Sequence, residues 1–252
     1  MCLLIFAWKA HPDYPLILAA NRDEFHARPS QDAHWWPDSP EVLAGRDLQA
    51  GGTWLAVSRS GRFATVTNYR EEFEPRRGAQ SRGEIATSFV SGCEGAMSYV
   101  SSLPGGRYAG VNVIAADHDS ICYASNRGDR PVALDPGVHG LSNAALDTPW
   151  PKLLRTREAL ARLIDTDNVN ATGLFRLLAD RTPAPNAQVD SGSMPFRLAR
   201  ALTAPFIVAG AFGTRCSTIV LVDADQRLQF AERRFDPDGN VSGESAFDFR
   251  CE

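Results

Sequence analysis

Lysine is nearly missing from this 252-residue chain: Lys9 and Lys152 are the only two, and arginine supplies the rest of the positive charge. Base composition alone can produce such a bias, so no function is drawn from it. Positive charge is also in overall deficit. A formal net charge of −4 and a sequence pI near 5.8 argue against a dedicated nucleic-acid binder. Cysteine is sparse and scattered, at positions 2, 93, 122, 216 and 251, an odd number without a C-x-x-C pair. That is neither a disulfide framework nor a zinc knuckle. No long hydrophobic run occurs either. The opening apolar run stops before Lys9 after about six residues, with no basic stretch ahead of it, too short for a secretory or membrane-spanning segment. A cytoplasmic location without stable membrane insertion is the default expectation. No group of His, Asp or Glu has ligand spacing such as H-E-x-x-H, and Gly51-Gly52 is too short for a phosphate loop, so no metal and no cofactor is assigned. Repeats and low-complexity linkers are missing too, and residues 1–252 read as a single domain long enough to bury a sizeable core.

What is present begins with two apolar runs of strand length, Met1-Cys2-Leu3-Leu4-Ile5-Phe6 and Pro15-Leu16-Ile17-Leu18-Ala19-Ala20, the second leading into Asn21-Arg22-Asp23-Glu24. The polar segment between them makes them antiparallel neighbours. The start of the first strand then lies beside the end of the second, which brings Cys2 next to the polar cluster. Initiator methionine is commonly removed before a small residue such as cysteine. The α-amine so exposed on Cys2 would titrate near 7.7 to 8.0, where a general base is useful, beside its own thiol nucleophile. Asp23 is placed to hold the amine, and Asn or Arg side chains to face a developing oxyanion. The competing reading makes Cys2 a small buried hydrophobe at the start of a core strand.

Further along, Phe25 to Pro40 reads as an irregular, proline-broken loop carrying Trp35-Trp36, a wall of the pocket or a surface loop pinned by aromatics. Thr53–Ser58 and Phe63–Tyr69 form a hairpin ending in Asn68. Ser81 with Glu84 has capping-box spacing and predicts a helix start, with a break at Gly92 and a second piece over Glu94–Ser101. Val111–Asp117 and Ser120–Asn126 make another hairpin. Short strands near Val132 and Val138 lead to Leu141-Ser142-Asn143. Asp147-Thr148-Pro149-Trp150-Pro151-Lys152 opens a long amphipathic helix, and Asn170 caps a further one. After a long loop over Arg181–Pro195 and a helical turn from Phe196, a final hairpin runs over Cys216–Val222 and Leu228–Arg233, with a closing strand near Phe247–Arg250. Hairpins interleaved with pairs of helices predict a layered α+β sandwich rather than a parallel sheet.

These landmarks, with Gly51-Gly52-Thr53-Trp54, Thr67-Asn68-Tyr69-Arg70, Ser81-Arg82-Gly83 and Gly213-Thr214-Arg215, resemble the NRDE family, bacterial relatives of transport and Golgi organisation protein two. The resemblance covers most of the chain. The family in turn resembles N-terminal nucleophile hydrolases of the bile-salt hydrolase and penicillin acylase kind. That implies a four-layer αββα sandwich of two antiparallel sheets and cleavage of a non-peptide amide bond. It implies Cys2 as nucleophile, Asp23 and Asn143 in the catalytic machinery, and Asn68 as a second oxyanion donor. Asn21, Arg22, Glu24 and Arg215 fall on the substrate side. Ala20 stands where those enzymes carry an arginine beside the motif's asparagine. Two functional readings therefore stay open. One is an amidohydrolase taking a small-molecule amide. The other is a non-catalytic protein of the same fold that handles haem, acyl-coenzyme A or lipid, with Cys2 and His11, His26, His34, His118 and His139 as the candidate haem ligands.

Overall fold

The first apolar run, Cys2–Trp8 (β1), is buried on both faces, which is why it reads as an unbroken hydrophobic stretch. Leu3, Ile5 and Ala7 pack toward helices, while Leu4, Phe6 and Trp8 pack toward a second sheet. The computed structural model describes residues 2–70 and 80–252. In it β1 pairs antiparallel with Leu16–Phe25 (β2), Cys2 opposite Arg22. The chain continues through Ser30–Trp36 (β3), Ser39–Asp47 (β4), Leu55–Ser58 (β5) and Phe63–Asn68 (β6) to two helices, Gly83–Ser91 (α1) and Ala96–Ser102 (α2). Val111–Ala116 (β7), Ile121–Ser125 (β8), Val132–Ala133 (β9) and Gly137–Leu141 (β10) follow, then Pro151–Asp165 (α3), Ala171–Leu178 (α4) and Phe196–Ala201 (α5). Val208–Ala209 (β11), Phe212–Val222 (β12), Arg227–Phe235 (β13) and Val241–Arg250 (β14) complete it.

One sheet has the order β10-β1-β2-β12-β13-β14, with β11 added on β12, and the other runs β3 to β9 in sequence order. Every strand pairing is antiparallel. Three apolar clusters define four layers. Ile85, Phe89 and Val100 join α1 and α2 to the second sheet. Phe6, Leu18, Leu43 and Phe63 fill the space between the sheets, and Leu153, Leu160 and Leu174 join α3 and α4 to the first sheet. This is the expected α+β sandwich. Asn170 caps α4, its side chain accepting from the Gly173 amide at 2.9 Å.

Two expectations are corrected. Phe25 to Pro40 is not an irregular loop, because most of it forms β3 and the start of β4. Its prolines are harmless there: Pro29 lies just before β3, Pro37 lies in the tight turn between the strands, and Pro40 falls in the β3–β4 register irregularity, outside the paired positions. The capping box does not form either. Arg82 takes the N-cap position of α1 without a side-chain cap, and Glu84 instead accepts from the Tyr108 hydroxyl at 2.8 Å.

The Gly51-Gly52-Thr53-Trp54 and Ser81-Arg82-Gly83 motifs meet at a backbone crossing. The Thr53 amide donates to the Gly83 carbonyl at 3.2 Å, and a Cβ on Gly83 would lie 2.9 Å from the Thr53 nitrogen. Gly52→Ala, whose new carbon meets the Gly83 backbone, is expected to lower stability by about 3 kcal/mol, the upper end for overpacking because backbone rather than a flexible side chain must yield. Urea unfolding measures it, and a midpoint equal to wild type would show that the crossing relaxes freely.

Candidate active site

The start of β1, the end of β2, the end of β6 and the segment after β10 converge at one end of the sandwich. Cys2, partly exposed, is fastened there by its main chain. Its nitrogen donates to Asn143 Oδ1 at 3.2 Å, and its carbonyl accepts from the Ser142 hydroxyl at 2.6 Å. The Ser142 carbonyl accepts from Thr67 Oγ1 at 2.6 Å, Thr67 Oγ1 accepts from Asn112 Nδ2 at 3.2 Å, and Asn112 Oδ1 accepts from the Tyr123 hydroxyl at 3.0 Å. A polar chain thus crosses the sandwich interior from β8 to Cys2, and its buried groups are partnered as such networks require. Asn143 closes the arrangement by donating from Nδ2 to the Asn68 carbonyl of the other sheet at 2.8 Å.

Strand alternation divides the polar cluster between two faces. Asn21 and Asp23 point to the helix side, Arg22 into the space between the sheets. Asp23 is 2% exposed and accepts from the Thr214 hydroxyl at 2.7 Å. Burial pushes its carboxyl up from an ordinary 3.8 to about 6, opposed by Lys152, the chain's amino terminus, the Thr214 hydroxyl and Arg22. Lys152, also 2% exposed, stands in the first turn of α3 and has no hydrogen-bond partner at Nζ among the described residues. Burial lowers its pKa, countered by the nearby Asp23 and Cys2. Asp147 directs it here: the Asp147 carboxylate accepts from the Gly140 amide at 2.8 Å and pairs with His139 and Arg157, and Pro151 then starts the helix at its first position. A cavity of about 140 Å³, lined by Arg70, Trp150, Met194 and Leu202 among others, opens onto Lys152.

On the other face Arg22 is 5% exposed. Its guanidinium lies 4.2 Å from the Trp54 ring centre and donates to Asp47 at 3.3 Å. Gly45 makes room for that ring, since a Cβ there would come within 2.5 Å of it. Arg215 sits at the bulge of β12 and donates from one nitrogen to the carbonyls of Phe25, His26 and Arg28. Both arginines line a second cavity of about 320 Å³ between the sheets.

The remaining sequence-derived candidates take other places. The Asn21 amide donates to the Leu178 and Pro205 carbonyls at 2.9 Å and accepts from Ser217 at 2.5 Å, tying β2 to α4 and β12. Glu24 accepts from the Phe25 amide at 2.8 Å and reaches Arg28 at 4.0 Å. The exposed Asn68 side chain makes no hydrogen bond to a described residue; its carbonyl is what joins the cluster. Among the described residues no three His, Cys, Asp or Glu side chains gather as a metal-binding group. His139 has both ring nitrogens engaged, by Asp147 and the Asp135 carbonyl. Sequence reasoning did not single out Lys152, Ser142 or Trp54 as site residues. For Lys152 a signal existed: a chain that uses arginine almost everywhere keeps a lysine at this position.

In fold the protein is similar to N-terminal nucleophile hydrolases. A Caenorhabditis elegans ortholog of N-acylethanolamine-hydrolyzing acid amidase superposes with a TM-score of 0.52 at 10% identity, covering 87% of this chain and 92% of that one. The C2A mutant of the conjugated bile acid hydrolase from Clostridium perfringens gives 0.56 at 8% identity, with coverage of 98% and 92%. At sequence level, residues 1–237 match the family described as Transport and Golgi organisation 2, and the chain belongs to that family. The Transport and Golgi organization protein 2 homologs of Bos taurus and Homo sapiens are 38% and 37% identical to it, each over 92% of both chains. The Drosophila melanogaster protein is 26% identical over 95% of both. No helix among the described residues is long and apolar enough to cross a membrane.

Proposed function

We propose that the chain is a cysteine N-terminal nucleophile hydrolase that cleaves the C–N bond of a small-molecule, non-peptide amide. The observation that carries this reading is the Cys2 main-chain nitrogen, held 3.2 Å from Asn143 Oδ1 with buried Asp23 and Lys152 beside it. Once residue 1 is removed, that nitrogen is an α-amine. It takes the thiol proton, the thiolate attacks the amide carbonyl, and the tetrahedral oxyanion accepts from the N–H of Asn143 Nδ2 not given to Asn68, with the Asn68 amide as second donor. The protonated amine then passes its proton to the leaving nitrogen, leaving a thioester. Water attacks that thioester with the same amine as base, releasing the acid and restoring the thiol. Asp23 holds the amine, and Lys152 sets the charge balance of the pair. The bile acid hydrolase of like fold was crystallised as a C2A mutant, so its second residue is likewise a cysteine, which supports the assignment.

Intact mass and thiol labelling test the reading together. Purified protein is expected to lack the mass of Met1 and to take iodoacetamide at Cys2. Cys2→Ala is expected to lose that label together with amide turnover. Active protein that retains Met1 would remove the amine as base, and turnover surviving in Cys2→Ala would remove the nucleophile.

A further inference from the structure

We propose that the cavity between the two sheets is an oxyanion-binding subsite, in which Arg22 and Arg215 hold a carboxylate or phosphate group of the ligand. The argument starts from an imbalance around Arg22. A guanidinium is charged at any accessible pH and carries five N–H donors, yet this one is 5% exposed and its Nη1 has no hydrogen-bond partner among the described residues. The carboxylate it pairs with among the described residues, Asp47, is shared: Oδ2 lies 3.3 Å from Arg22 but 2.6 Å from Arg28 Nε. Burying a charge with incomplete hydrogen bonding is costly, and the fold maintains it here by stacking the guanidinium on Trp54 and omitting a side chain at Gly45.

The cavity of about 320 Å³ next to this group is walled by matching chemistry. Arg215 directs a single nitrogen at three carbonyls and has no ion pair among the described residues, so the rest of its fork is available. Arg234, also in the wall, is already matched by Asp32 at 2.9 Å. Glu232, 2% exposed, is the one buried carboxyl in the wall; its Oε1 accepts from the Ala33 amide at 3.0 Å, and burial raises its pKa. Two arginine forks facing a shared space suit the planar or tetrahedral oxygens of a carboxylate or phosphate.

Location then narrows the ligand. Arg22 is the cross-strand partner of Cys2 on the same face of the sheet, where paired Cβ atoms stand about 5 Å apart. The cavity therefore lies on the same face of the sheet as the thiol. If Cys2 is the nucleophile proposed above, the substrate is an amide with an acidic group a few bonds from the scissile carbonyl. The subsite itself does not depend on that reading.

The test uses the Cys2→Ala protein, titrated with inorganic phosphate and separately with acetate at constant ionic strength set by chloride, and followed by calorimetry and thermal shift. Saturable binding of either anion is expected, at least about tenfold weaker in Arg22→Gln and in Arg215→Gln, and unchanged in Arg227→Gln, whose arginine pairs with Asp248 on the exposed surface. Binding of phosphate alone, acetate alone or both identifies the group the subsite takes. Should Arg22→Gln fail to fold, Arg215→Gln decides. No saturable binding to the folded parent, or binding equally tight in Arg215→Gln, overturns the subsite while leaving the Cys2 reading intact. A neutral amide turned over as fast as its acidic analogue overturns only the placement of the anion within the substrate.

Discussion

Asp23→Asn is expected to destabilise the protein by about 3–5 kcal/mol, whereas Asp23→Asn combined with Lys152→Met recovers most of that loss. The reason is the cost of a buried, uncompensated charge. Both groups are almost fully buried, and burial shifts each against its charged form, the acid upward to about 6 and the amine downward. Each offsets part of the other's desolvation, so removing the carboxylate strands the ammonium, and removing both strands neither. Urea unfolding of the two singles and the double gives the coupling, and strictly additive losses would dismiss it. The same pair sets a pH dependence. Asp23 titrates near 3.8 when unfolded and about 6 when native, so the native state binds more protons between those values. Its stability contribution is full below pH 4 and lost as pH rises through 6. Lys152 is the first-ranked charge holding that native value down, so Lys152→Met should move the transition, and the acid limb of any Cys2-dependent rate, to higher pH. An unmoved limb in Lys152→Met would separate the lysine from the site.

Asn143→Ala should reduce the rate of Cys2 acylation by about 10²–10³-fold, the usual effect of losing one oxyanion donor. It should also lower stability by about 2 kcal/mol, because the Cys2 nitrogen and the Asn68 carbonyl both lose their partner. Asn143→Asp separates the two roles. It keeps an acceptor for the Cys2 nitrogen and removes the donor, so it should hold Cys2 in place and remain slow. Acylation by a nitrophenyl ester, followed as release of nitrophenol, reads this directly, and an Asn143→Asp rate near wild type would refute the donor role.

Much of this architecture is legible in residue patterns, because hairpins and amphipathic helices carry local periodicities. The continuous apolar run of β1 announces burial on two sides, and Asn170 announces the start of α4. Patterns mislead where tertiary context decides. The prolines around Trp36 look like strand breakers, yet a tight turn takes Pro37 and a register irregularity takes Pro40. Ser81 and Glu84 have the spacing of a cap, yet Tyr108 claims the glutamate. The site divides the same way. Proximity of Cys2 to the residues at positions 21–24 follows from hairpin register, and their alternation assigns two faces. What each face meets is set by chain segments far away in sequence: Lys152 from α3 on one side, Trp54 and Arg215 on the other. Local spacing carries no trace of such meetings, so Asn21 could be noticed in the sequence without its bonds to Leu178, Pro205 and Ser217 being foreseen.

The polar chain from Tyr123 to Ser142 has a consequence for how such a protein can diversify. It fastens Cys2 through hydrogen bonds among strands and strand ends, the parts of a fold that open least. The cavity walls come partly from elsewhere: Met194 from the segment between α4 and α5, and Gln31 and Asp32 from the edge strand β3. The sheet that holds Cys2 also supplies Arg22 and Arg215, so only part of the wall between the sheets lies outside that framework. Substitutions at Met194, Gln31 or Asp32 can alter those walls without touching the hydrogen bonds that fasten Cys2.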